Sequence, residues 1–274
     1  MGGKRLQSER KSSGTVGKAL SVLDGVAAFE RPVRFNDILE KSNYPKATLY
    51  RILQNLVTED LLSYDRKWQT YSLGVRLVRL AHSAWTQASL APVAYPHLTA
   101  LSEATGETIH LAQLDGPHVL YLDKRDSKRR VNMFSEAGKV GPAYCTGVGK
   151  AMLAHLPDQE LRRVLAQQSF HRFTESTICS RKELTVELEQ VRKRGYALDR
   201  EDHEPGIICV AVPILSGTSQ MMGAISITST SARTSLGRLE EFVPDLKRAA
   251  GAIASAAEYW RFPENRQLPE RMEM

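Results

Sequence analysis

The sequence has few cysteines, no long apolar run and no internal repeat, and each absence narrows what the chain can be. Its 274 residues include three cysteines, Cys145, Cys179 and Cys209. None belongs to a CxxC pair, so neither a disulfide framework nor a zinc site is indicated, and a reducing, cytoplasmic setting is expected. No stretch of about 18 apolar residues occurs, which argues against a membrane-spanning helix. Residues 1–15 are polar and basic with no apolar core, so no secretory signal peptide is read there. The absence of repeats and low-complexity tracts sets solenoid architectures aside.

What is present is ordinary in amount and uneven in placement. Hydrophobic residues make up 42% and charged residues 25% of the chain, which is the composition of a soluble globular protein. The length suits two domains, and the apolar material suffices for two cores. The formal net charge is +6, and residues 1–75 hold 12 Lys and Arg against 8 Asp and Glu, so the first quarter carries most of the excess. Such a segment suits contact with phosphates, although a mildly basic surface with no partner has the same count.

Residues 1–13 (MGGKRLQSERKSS) are polar and basic and read as a disordered arm. A helical pattern starts with Thr15 as N-cap, places Val16, Leu20, Leu23, Val26 and Ala27 at helical spacing, and ends near Glu30, before Arg31-Pro32. A short second helix carries Phe35, Ile38 and Leu39 and stops at Ser42-Asn43. The third opens with Pro45 in its first turn. Its apolar stripe is Leu49, Ile52, Leu53 and Leu56, which Lys46, Thr48, Tyr50, Arg51, Gln54 and Asn55 avoid. Strand-like flanks, Leu62-Ser63-Tyr64 and Thr70-Tyr71-Ser72-Leu73, then enclose the polar tip Asp65-Arg66-Lys67-Trp68-Gln69, which predicts a hairpin.

Three helices, the last two joined by a tight turn, followed by a basic-tipped hairpin, is the order of a winged helix-turn-helix. There the third helix enters the major groove of double-stranded DNA. Lys46, Thr48, Tyr50, Arg51 and Gln54 become candidate DNA contacts, with Arg66 and Lys67 on the wing. Thr48 and Tyr50 suit phosphates, whereas Lys46 and Arg51 suit either phosphates or guanine edges. A solvated polar helix face would look the same taken alone, and the order of elements is what favours DNA.

Residues 14–75 are accordingly assigned to the DNA-binding domain, 76–90 to a linker helix, 91–262 to a second domain and 263–274 to a flexible tail. Residues 74–105 read as two helices broken near Ala91-Pro92. The first is strongly apolar through Val75, Leu77, Val78, Leu80, Ala81 and Ala84, which suits packing or a two-fold dimer contact. Strands are predicted over Thr108–Asp115, His118–Lys124, Val131–Phe134, Ile207–Leu215 and Met222–Thr228. Helices are predicted over Gly147–Ala154, Asp158–Gln167, Ser180–Arg194 and Ser235–Trp260. Two blocks of strands flank a helical block, so the fold class is α+β with an antiparallel or mixed sheet.

From about Thr15 to Trp260 the chain resembles the IclR family of bacterial transcription regulators. The resemblance is carried by NYPKATLYRILQNL, TGETIHLA, YCTGVGKAMLAHLP, GYALDREDHEPGIICVAVPI and GAISIT, in that order. It implies an N-terminal winged helix, a C-terminal GAF-like effector-binding domain, homodimers often paired into tetramers on operator DNA, and a small organic acid as effector. It also implies pocket roles for Gly147 and Val148, whose amides open a helix, for Asp199 and Cys209, and for the hydroxyls of Ser226 and Thr228. Where the family shows D-x-E-E, this chain has Asp199, Glu201 and Asp202, with aspartate in the last place. The segments TGETIHLA and VLYLDKRDS are similar to the branch that regulates hexuronate and 2-keto-3-deoxygluconate use.

The residues themselves agree. Gly147-Val148-Gly149 at a helix start leaves free N–H groups for an anion. Ser226 and Thr228 alternate with Ile225 and Ile227, so both hydroxyls share one sheet face with Ala224. Each signal also has a plainer reading. A Ser/Thr row is often solvent-facing, Cys209 in IICVAVPI reads as a buried inert thiol, and His110 reads as core or pocket wall. Asp199, Glu201, Asp202 and His203 read as a solvated turn in preference to a metal site. Cys145 and His155 are ten residues apart with no orienting third group, so no enzyme is expected, and neither a cofactor nor a metal. A small-molecule-modifying enzyme with a DNA-binding appendage is the alternative, and a nonspecific nucleoid-binding protein is a third.

Overall fold

The computed structural model describes residues 14–29, 31–88, 90–128, 131 and 133–257. The arm at 1–13, Glu30 and the tail at 263–274 lie outside the described residues. The chain forms two compact units, Met1–Gln87 and Ala88–Met274.

In the first unit the described elements are α1 (Thr15–Ala27), β1 (Val33–Arg34), α2 (Phe35–Lys41), α3 (Lys46–Thr58), β2 (Leu62–Asp65), β3 (Thr70–Leu73) and α4 (Val75–Ala88). The stripe Leu49, Ile52, Leu53 and Leu56 is buried against Val22, Leu23 and Val26 of α1 and Ile38 of α2. Four expectations are corrected. Thr15 is the first residue of α1 and Gly14 is its N-cap. Pro45 is the N-cap of α3, where its extended backbone fits, and Lys46 is the first helical residue. Val16 and Leu20 stand 74% and 52% exposed, because the buried face of α1 is set by Val22, Leu23 and Val26; Ala27 is exposed as well. The wing is three-stranded, β1-β3-β2, because Val33 and Arg34 add a short strand to β3.

The second unit holds α5 (Ala91–Thr105), β4 (Thr108–Asp115), β5 (His118–Arg125), β6 (Val140–Pro142), α6 (Gly147–Leu153), α7 (Asp158–Leu165), α8 (Arg181–Arg194), β7 (Ala197–Arg200), β8 (Ile207–Leu215), β9 (Met221–Thr230), α9 (Leu236–Glu240) and α10 (Val243–Ala257). The strands form one sheet in the order β6-β5-β4-β9-β8-β7, with every pair antiparallel. Alternation along the strands divides the sheet into two faces. Ile109, Leu111, Val210, Val212, Ile225 and Ile227 pack with α5 and α10 on one face. Ala112, Ala211 and Ala224 pack with α6 and α8 on the other. Small residues on that second face leave room for a helix to lie close to the strands.

Two predicted elements differ, and two observed strands, β6 and β7, lie where none was predicted. The described residues of Val131–Phe134 form no strand; the strand lies at Val140–Pro142, where residues pair with His118, Val119 and Leu120. The helix expected over Ser235–Trp260 is two helices, with Ser235 capping α9 through the Arg238 N–H, and residues beyond 257 lie outside the described residues. Strand β7 has no counterpart among the predicted elements; its Ala-Leu-Asp-Arg sequence has too little β-branched character to announce an edge strand.

Candidate functional site

The sheet register builds a polar floor on the α6 face. Asp199 pairs with Cys209, Cys209 with Thr228 and Thr228 with Thr108, forming one row across β7, β8, β9 and β4. The adjacent row runs from Ala211 to Ser226 to His110. Helix α6 covers this floor at a distance only glycine permits. A Cβ on Gly147 would stand 2.3 Å from Cys209 Sγ and 3.5 Å from Ala211 Cβ. Beside that crossing lies a small cavity, partly open to solvent. Gly147, Val148, Asp199, Cys209, Ser226 and Thr228, which are far apart in sequence, all line it.

Sequence reasoning left out the cavity's other walls. His110, which it placed in the core or pocket wall, stands on the floor with Nδ1 3.2 Å from Thr228 Oγ1 and Nε2 2.8 Å from Ser135 Oγ. Tyr121 meets the imidazole edge-on at 5.4 Å between ring centres. Over the mouth runs the irregular segment 133–139. The Phe134 N–H donates to Glu204 Oε1 at 2.6 Å, and Lys124 Nζ donates to Glu136 Oε1 at 2.6 Å. Phe134, His203 and Phe173 continue the mouth as a chain of rings, with centres 5.4 and 4.6 Å apart. The alternating TIHLAQLD pattern was the available signal for His110. For Phe134 the sequence signalled a strand that does not form, and for Ser135 it gave no signal.

Electrostatically the cavity is acidic in composition, and burial works against the ionisation of its carboxyl groups. Among the described residues no Lys or Arg lines it, while Asp199 and Glu204 do. Burial, then the neighbouring Asp202 carboxylate, pushes Asp199 up to about 7 against the pull of Lys150. Burial raises Glu204 as well. Burial, with the Lys124 charge, holds His110 down to about 3, and burial lowers His203, so both imidazoles are neutral near pH 7. Burial drives the Cys145 and Cys209 thiols far above their usual range, which keeps them protonated and poor nucleophiles.

Beneath the floor the expectation of a solvated acidic turn is overturned. Asp199 and Asp202 are 7% and 3% exposed. Asp202 accepts a hydrogen bond from Lys150 Nζ, whose side chain is fully buried. The Asp202 N–H donates to Asp199 Oδ1 at 2.8 Å, and Thr177 Oγ1 donates to the Asp202 carbonyl at 2.7 Å. Lys150 is 52 residues from Asp202, so the acid-rich segment alone could not show that it was anchored. Among the described residues no group of three or more His, Cys, Asp or Glu side chains could hold a metal ion.

In the first unit, Lys46, Tyr50, Arg51 and Gln54 lie on the exposed side of α3, and Thr48 is half-buried. Tyr50 packs edge-on against Phe35 at 6.1 Å, and Gln54 reaches the Tyr71 hydroxyl on the wing, so both are held by neighbours. Arg66 and Lys67 are exposed at the tip. There Asp65 Oδ1 accepts from the Lys67 and Trp68 N–H groups at 2.8 and 3.0 Å, and Gln69 takes a left-handed φ of 54° that closes the turn.

A winged helix-turn-helix unit and a second unit with a small polar cavity define a class of protein: a transcription regulator that binds DNA and answers to a small molecule. The family model described as the IclR helix-turn-helix domain matches residues 15–66, and that described as Bacterial transcriptional regulator IclR C-terminal matches residues 82–255. The chain is 32% identical over 258 residues to the HTH-type transcriptional regulator KdgR of Escherichia coli K12, covering 94% of this chain and 98% of that one. It is 32% identical over 245 residues to the regulator XynR of the same organism, covering 89% and 97%. The crystal structure of Thermotoga maritima IclR matches with a TM-score of 0.71 at 30% identity, covering 89% of this chain and 98% of that one. The chain belongs to the IclR family, as a transcription regulator with a helix-turn-helix DNA-binding domain and an effector-binding domain.

Proposed function

We propose that this regulator represses genes for the catabolism of a sugar acid or related small carboxylate and leaves its operator when that acid binds. The observation that carries the reading is the convergence of Gly147, Val148, Asp199, Cys209, Ser226 and Thr228 on one small cavity. Such a site offers a carboxylate N–H and O–H donors, with little room for a large ligand. The resemblance of TGETIHLA and VLYLDKRDS to the branch that regulates hexuronate and 2-keto-3-deoxygluconate use favours a sugar acid or similar keto acid. Lys46, Thr48, Tyr50, Arg51 and Gln54 would meet the major groove, and Arg66 and Lys67 the flanking backbone. Apolar residues exposed along α4, Val75, Val78 and Leu80, suit a homodimer that sets two such helices on a palindrome, with dimers pairing into a tetramer on the operator. Protonated thiols at Cys145 and Cys209 speak against the enzymatic alternative.

The test is a thermal-shift screen of sugar acids, keto acids and aromatic acids, paired with gel-shift titration of the promoter upstream of the chain's own gene. A stabilising acid that also releases the DNA is expected. Specific DNA binding with no stabilising acid would discard the ligand class, and no specific DNA binding would discard the repressor reading.

A further inference from the structure

His110 occupies an unusual position among the groups around the cavity. Its Nδ1 side faces fixed sheet partners, Thr228 Oγ1 at 3.2 Å and Ser226 Oγ at 3.5 Å. Its Nε2 side faces Ser135 Oγ at 2.8 Å, and Ser135 belongs to the irregular strap and not to the sheet. The imidazole plane is set from outside by the edge contact with Tyr121. One side of the ring is therefore bound to the scaffold. The other is bound to a hydroxyl that can be exchanged without breaking any strand pairing.

A neutral imidazole has one donor and one acceptor nitrogen, and the Ser226, Thr228 and Ser135 hydroxyls can each rotate to match either arrangement. The ring can thus donate to a keto oxygen or accept from a hydroxyl. It is too deeply buried to answer a carboxylate by charging. The carboxylate must then look to the Asp199 and Cys209 end of the cavity, which lies on the neighbouring row of the floor.

Resting on the organic-acid reading above, we propose that His110 is a specificity-determining residue, which selects acids carrying a hydroxyl or keto oxygen beside the carboxyl group. That oxygen takes over the Nε2 position that Ser135 Oγ fills in the structure. An acid with only methylenes cannot replace Ser135 without leaving an imidazole nitrogen unpaired in the interior, and such a loss costs about tenfold or more in affinity. The two partners of the exchange play different parts. Removing the imidazole abolishes the selection. Removing the Ser135 hydroxyl takes away the resident competitor for Nε2, which raises the affinity for a hydroxy or keto acid and leaves the ratio between acids in place.

The experiment is isothermal titration of the full-length protein with pyruvate, lactate and propionate, which share a carbon count and a carboxylate, for wild type, His110→Phe, His110→Asn and Ser135→Ala. Wild type is expected to favour pyruvate or lactate over propionate by about tenfold. That ratio should fall towards one in His110→Phe, survive in part in His110→Asn, and hold in Ser135→Ala while the affinity for pyruvate or lactate rises severalfold. Ser135→Ala changes a strap residue outside every helix and strand, so it reports even where His110→Phe fails to fold. Acids that bind wild type without this preference, a ratio unchanged in His110→Phe, or an affinity for pyruvate and lactate unchanged in Ser135→Ala would overturn the proposal and leave acid binding standing. If none of the three acids nor 2-keto-3-deoxygluconate binds, the organic-acid reading falls and takes this one with it.

Discussion

Asp199 and His110 face one cavity and titrate in opposite senses, so their effects on stability cancel in the wild type and separate in single variants. The folded protein holds the Asp199 proton more tightly than the unfolded chain does, with the carboxyl raised from 3.8 to about 7. Its contribution is complete below the unfolded value and is lost as pH rises through about 7. His110 is the reverse, lowered from 6.5 to about 3. Its contribution is complete above pH 6.5 and drains away as pH falls towards 3. Between pH 7 and pH 5, acidification therefore removes about 2 kcal/mol through His110 and returns about 2 kcal/mol through Asp199. Asp199→Asn keeps an oxygen to accept from the Asp202 N–H but no longer titrates, so its stability should drop by about 2 kcal/mol over that window relative to wild type. His110→Asn should instead gain about 2 kcal/mol over the same window. Urea unfolding followed by circular dichroism at pH 5, 6 and 7 measures both, and slopes are compared, not absolute stabilities. Parallel profiles for all three proteins would refute the claim that these two groups are buried in opposite charge states.

Three further outcomes follow from the same geometry. With no Lys or Arg among the described residues lining the cavity, an anionic effector should enter with a proton held on Asp199, among the flanking groups Asp202, Lys150, Cys145, Cys209, Tyr121 and Glu204. Calorimetric affinity for 2-keto-3-deoxygluconate should then fall about tenfold from pH 6 to pH 8 in the wild type and stay flat in Asp199→Asn, whereas a flat wild-type profile would mean that no proton is taken up. Lys150→Met strands the Asp202 carboxylate in the interior and should cost about 3–5 kcal/mol in urea unfolding, with Lys150→Met plus Asp202→Leu recovering part of it. A double-variant loss equal to the sum of the Lys150→Met and Asp202→Leu losses would show that the pair is not coupled. Arg51→Ala or Lys46→Ala should weaken operator binding and lower the salt slope of log K by about 1 for each phosphate no longer neutralised, read by gel shift at several salt concentrations. An unchanged slope in both variants would remove α3 from the DNA.

What could be read from the chain divides along a physical line. The apolar stripe of α3 was legible because local periodicity dictates which side is buried, whereas the period-two run TIHLAQLD announced a strand but not that both of its faces are buried from Thr108 to Ala112. The six pocket residues were legible by resemblance. Their grouping also follows from register, since Asp199, Cys209 and Thr228 fall in one row once the strands pair antiparallel. The strap at 133–139 imitates a strand in sequence because Val131 to Phe134 is apolar for another reason: Met133 and Phe134 cover the cavity and make no ladder. The charge state of the site was beyond any local reading. Asp199 looks like an ordinary loop carboxylate until Lys150, from a helix some fifty residues earlier, is seen to be fully committed to Asp202. With that lysine spoken for, the described residues give the pocket donors but no cation of its own, and discrimination among acids passes to the neutral groups. For that reason the imidazole of His110, which the sequence offered only as a wall, becomes the side chain on which effector choice turns.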